Sequence, residues 1–89
     1  MLKRELPRET YRKILLEDII LEAVSNPSQV YYDLSTGATI ATKGLNGRHI
    51  LVAYIKEDGE VKVITTFITS EVQEIIRRKM DSGRWVRVK

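Results

Sequence analysis

Cysteine is absent from the 89-residue chain, which excludes disulfides, thiolate zinc sites and cysteine nucleophiles together. Histidine occurs once, at His49, so any motif that needs a pair of imidazoles is excluded as well. The five glycines are scattered at positions 37, 44, 47, 59 and 83, and no glycine-rich phosphate loop can be assembled from them. The longest apolar run, Ile50–Ile55, has six residues, far short of the roughly 20 that span a bilayer. Met1–Arg12 carries four basic residues, but no apolar h-region follows in the right place, so neither a secretion signal nor a membrane partner is expected, and a cytoplasmic location is. Neither a metal site nor a cofactor is expected from such a composition.

What is present describes a folded domain. The apolar fraction is 43% and the charged fraction 30%, a balance that can bury a core and does not belong to a disordered tail. One domain over residues 1–89 is the expectation for this length. Two Gln and two Asn stand against ten Ile and 27 charged residues, the pattern that proteins from hot environments tend to show.

The net charge of +3 hides a polarity along the chain. Residues 1–13 sum to +3, residues 14–76 to −5 and residues 77–89 to +5. If the two basic ends meet in the fold, they make one face that attracts an anionic polymer; if they do not, they are ordinary solvated charges.

The pattern predicts helix, four strands, helix, strand. Pro7 suits a first helical turn, and Tyr11, Leu15, Ile19 and Ala23 recur beside Leu16, Ile20 and Val24 as an apolar stripe of helical period. Asn26-Pro27 ends that helix, which is read as one piece or as two with a joint near Ile14–Leu16. Gln29–Asp33 and Ala38–Lys43 are β-prone. The Asn46-Gly47 turn leads into His49–Lys56, which is apolar on both parities and so expected to be covered on both faces. Val61–Ile68 follows, with Val61, Val63, Thr65 and Phe67 on one side and Lys62, Ile64, Thr66 and Ile68 on the other. Ser70-x-x-Gln73 reads as a capping box for a second helix whose stripe is Val72, Ile75, Ile76 and Met80, with Gly83 just past its end. The tail Arg84–Lys89 alternates again as a last strand. The expected class is α+β: an N-terminal helix (or two), a four-to-five-stranded mainly antiparallel sheet, and one C-terminal helix before a last strand.

Few residues carry chemistry. The acidic pairs Glu17-Asp18 and Glu57-Asp58 fall on a helix's polar face and in a hairpin turn, where solvated charge explains them. His49 opens the strongest strand beside Arg48 and is the side chain best suited to proton transfer near neutral pH; its plainer reading is a half-covered strand end. Thr65 and Thr66 offer hydroxyls to a phosphate, and are also good strand formers. Trp85 lies between Arg84 and Arg87, where an indole can stack an unpaired base while the cations hold the backbone; equally, it can cover the end of a core or a dimer seam.

The order of elements, with Arg8-x-x-x-Arg12-x-Ile14, Leu16-Glu17-Asp18-Ile19, Asn26-Pro27 and Val63-Ile64-Thr65-Thr66-Phe67, resembles a little-characterised domain family related to BrnT and RelE toxins, over about residues 4–68. In such proteins a helix reading His-x-x-x-Arg-x-x-x-Arg-x-Ile leads into a small antiparallel sheet. The family's helix histidine falls on Arg4 here, so a proton-transfer role would be either lost or moved to His49. The resemblance implies a metal-independent endoribonuclease, in which the RNA 2′-hydroxyl attacks the adjacent phosphate and cations stabilise the developing charge. Arg12 and Arg48, with His49 as the acid, are then the expected catalytic residues. Arg8, Lys43, Thr65, Thr66, Trp85 and Arg87 are the expected RNA contacts, and a small antitoxin the expected partner. The alternative is a non-catalytic protein-interaction module, a homodimer joined through the C-terminal strand.

Overall fold

A computed structural model describes residues 8–89, with side chains from residue 17 onward. The elements follow in the order α1 (Arg8–Ser25), β1 (Gln29–Asp33), β2 (Thr39–Leu45), β3 (Arg48–Glu57), β4 (Glu60–Thr69), α2 (Val72–Asp81) and β5 (Trp85–Arg87). This is an α+β fold with one continuous N-terminal helix. α1 stops where Asn26 N–H donates to the Glu22 carbonyl at 2.8 Å, because Pro27 bars a further turn.

Two tight hairpins set the sheet. Asn46 and Gly47 both have positive φ, 42° and 83°, and Asp58 and Gly59 repeat this at 51° and 79°. These two-residue turns match the right-handed twist of the strands they join. Thus β2, β3 and β4 form an antiparallel meander, and β1 pairs antiparallel with β2. The chain then crosses one face of the sheet as α2 and adds β5 antiparallel to the free side of β1. The strand order is β4-β3-β2-β1-β5, so β4 and β5 are its two edges.

Strand alternation sends apolar side chains to both faces. On one face Ala41, Ile50, Val52 and Tyr54 pack with Ala23, Ile19, Ile20 and Val24 of α1. On the other Tyr31, Ala38, Ile40 and Leu51 pack with Val72 and Ile76 of α2 and with Trp85. β3 is accordingly covered on both faces as its two-parity apolar pattern predicts, although β2 holds the middle position. Among the described residues no helix is long and apolar enough to cross a membrane.

Two local expectations are corrected. No side chain caps α2: Glu71 stands at the N-cap position, and Thr69 Oγ1 accepts the Glu71 N–H at 2.9 Å, so the Ser70-x-x-Gln73 box does not form. In β4, Ala53 pairs with Thr65 and Tyr54 with Val63, leaving Ile64 as a bulge. The extra residue reverses the alternation beyond it. Val61, Val63, Thr66 and Ile68 therefore lie opposite α1-face residues of β3, and Lys62, Thr65 and Phe67 opposite α2-face residues.

Leu51 is 2% exposed, within the α2-face core, so Leu51→Ala is expected to cost about 2–5 kcal/mol through lost burial and the cavity left behind. Val88, 60% exposed, should change stability by less than about 0.5 kcal/mol as Val88→Ala. Urea denaturation at one protein concentration compares the two.

Candidate functional site

The most connected polar group is the Asp33 carboxylate, at the end of β1 and 5% exposed. Its Oδ1 accepts the backbone N–H and the hydroxyl of Ser35 at 2.9 and 2.8 Å, closing a turn of the kind Asp favours. The same oxygen accepts Arg84 Nε–H at 3.4 Å, and Oδ2 accepts the Trp85 indole N–H at 3.3 Å. Burial pushes the carboxyl upward, but the two Ser35 bonds, the Trp85 bond and the Arg84 charge outweigh it and hold Asp33 at about 2. Donors from Ser35, Arg84 and Trp85 meet on this one carboxylate, which makes Asp33 a structural hub.

That hub pins the C-terminal segment along the β1 edge. The Leu34 N–H donates to Arg84 O at 2.8 Å, the Arg84 N–H to Lys79 O, and the Val30 N–H to Lys89 O. Trp85 stacks at a 32° tilt on Tyr31 with centroids 5.7 Å apart, and Lys79 Nζ lies 6.0 Å from its ring centroid. Lys79, Arg84, Arg87 and Lys89 are thereby set along one side of the molecule, with Arg77 and Arg78 on the exposed flank of α2. Between α2 and β4 lies a cavity of about 300 Å³. Its walls are apolar (Ile40, Leu51, Phe67, Ile75), and Thr65, Lys79 and Arg84 stand among its lining residues.

Among the described residues, those singled out from the sequence are not gathered in one place. Arg8 and Arg12 belong to α1, and their side chains lie outside the described residues. Arg48 and His49 are consecutive in β3, so they point to opposite faces: Arg48 shares the α1 face with Ile50, and His49 the α2 face with Leu51. Half-buried His49 pairs with Gly44 and Thr69, and a methyl group at Gly44 would sit 3.8 Å from its Nε2. Lys43 does share the α1 face with Arg48 as its diagonal neighbour on the hairpin. Its Nζ, however, donates to Asn26 O at 2.8 Å and lies 3.7 Å from Glu22, where it satisfies the end of α1.

Thr65 and Thr66 are consecutive in β4, past the bulge, and so point to opposite faces. Thr65 lines the α2-side cavity, while Thr66 lies opposite Val52 on the α1 face with its Oγ1 buried and without a partner among the described residues. Trp85 is 6% exposed, which removes the stacking platform: the indole is a core residue whose N–H is spent on Asp33. Arg87 is exposed, its Nε–H reaching Lys89 O at 3.4 Å. The acidic pairs are exposed as expected, and no metal-holding cluster of His, Asp and Glu occurs among the described residues.

No protein-family model matches this chain, and no curated protein or solved structure matches it.

The low Asp33 pKa fixes a pH dependence. The native carboxyl titrates near 2 instead of near 3.8, so the stability it contributes is complete above pH 5 and is lost as pH falls through 2. The difference corresponds to about 2 kcal/mol. Urea midpoints should fall between pH 5 and 2 in the parent chain, and Asp33→Asn should flatten that fall; an equally steep fall in both would contradict the assignment.

Proposed function

We propose that this chain binds single-stranded RNA through the basic edge formed by the second half of α2 and by β5, and that it does so without cutting the strand. The observation that carries the reading is the pinning of the C-terminal cations. Six basic side chains lie between positions 77 and 89; Arg77 is paired with Glu74 at 2.8 Å and Arg84 with Asp33 at 3.4 Å, while the backbone bonds around the Asp33 hub fix the segment that carries Arg78, Lys79, Arg87 and Lys89. Phosphates are attracted by such an array whatever the base sequence, and arginine forks can grip two oxygens at once. The endoribonuclease reading, with the antitoxin it implies, is weaker. It asks Arg48 and His49 to act on one phosphate, and the two side chains leave opposite faces of β3.

The protein-interaction reading has support of its own, though not through the C-terminal strand. β5 has three residues, and pairing two copies of it would bring two basic edges together.

Fluorescence anisotropy with a labelled single-stranded RNA tests the proposal. Affinity should fall steeply with salt, and Arg78→Ala and Arg87→Ala should each reduce the log–log salt slope by about 0.7. Salt-insensitive retention, or slopes unchanged by both substitutions, would overturn it. Cleavage of the RNA by the parent, abolished in Arg12→Ala, would restore the nuclease.

A further inference from the structure

The opposite edge of the sheet has a different character. β4 is ten residues long and, among the described residues, has no strand on its outer side, so it presents a row of backbone N–H and C=O groups there. Val61, Val63, Ile64, Phe67 and Ile68 are 41–54% exposed, which gives this edge apolar side chains on both faces. Grooves flank it on either side. Leu21 of α1, itself 65% exposed, lines one together with Val61 and Val63; Ile64 and Phe67 line the α2-side cavity. The one cation on the strand, Lys62, is drawn along β3 to Glu57 at 2.9 Å and so does little to guard the edge.

The bulge gives β4 a symmetry. A regular strand pairs with its own copy about a residue, because facing side chains must lie on the same side of the sheet. With Ile64 inserted, the α1 face reads Val61, Val63, Thr66, Ile68, and the α2 face reads Lys62, Ile64, Thr65, Phe67. Antiparallel pairing about the Ile64–Thr65 peptide then opposes Val61 with Ile68, Val63 with Thr66, Lys62 with Phe67 and Ile64 with Thr65, every pair on one face. No like charges meet, and the stem of Lys62 lies against an aromatic ring.

We infer that β4 is the docking surface for a second copy of this chain, joined edge to edge about a two-fold axis normal to the sheet into one ten-stranded sheet. Such an interface is self-complementary, as two-fold contacts between identical chains must be. This inference is independent of RNA binding: the basic edges lie at the far ends of the joined sheet and take no part in the contact.

Sedimentation velocity from micromolar to millimolar protein should show a dimer, and Val63→Lys with Ile68→Lys should weaken it at least tenfold. Both positions are exposed in the single chain, so the circular dichroism should not change. Because the chain has no cysteine, the register can be read by oxidising mixtures of single-cysteine variants. Val61→Cys should link to Ile68→Cys, or Lys62→Cys to Phe67→Cys, since adjacent rungs alternate in Cα spacing and one of the two suits a disulfide. Val61→Cys should not link to Phe67→Cys. A monomer at every concentration, a dimer indifferent to the two lysines, or cross-links outside this register would each overturn the inference.

Discussion

The Asp33 carboxylate lies where β1 ends, and the donors it accepts come from two distant parts of the chain. Ser35 closes the turn towards β2, while Arg84 and Trp85 arrive from beyond α2. Removing a buried carboxylate from water is costly unless every lone pair finds a donor, and here the donors are supplied by the segment that needs anchoring. β5 has three residues and α2 ten, too little by themselves to hold the end of the chain against the sheet. With the carboxylate in place, the indole of Trp85 joins the core and the backbone of residues 84–89 follows β1.

From this anchoring comes an asymmetry between the two edges of the sheet. The crossing of α2 ends at the β1 side, so the cations of its last turn and of β5 gather there. At the other side β4 keeps apolar side chains that are 41–54% exposed among the described residues. One edge is charged and short; the other is apolar and long. The first suits a polyanion and the second another strand, because phosphate binding needs fixed positive charge and strand addition needs free backbone groups beside apolar side chains.

Much of the fold could be read in the sequence because its signals are local: the helical stripe ending at Asn26-Pro27, the Asn46-Gly47 and Asp58-Gly59 turns, and the two-parity run of β3. The candidate site was far less legible. Arg48 and His49 are neighbours in the chain and yet point apart, since a strand turns adjacent side chains to opposite faces. Thr65 and Thr66 are divided in the same way, and the bulge at Ile64, which sets the face that each one takes, was announced by no residue preference. Asp33-x-Ser35 carries a turn signal, but its partners stand 51 and 52 residues away, and no periodicity links them. Trp85 alternates with Val86 as a strand residue should; that the indole faces inward depends on that distant carboxylate.

That the two edges do different work can be tested with amide proton–nitrogen correlation spectra of the labelled chain, recorded on dilution and on titration with a short single-stranded RNA. The account predicts that RNA moves resonances of residues 77–89 and leaves β4 in place, while dilution moves β4 and leaves the C-terminal segment in place. RNA-induced shifts centred on β4, or dilution shifts centred on β5, would contradict it.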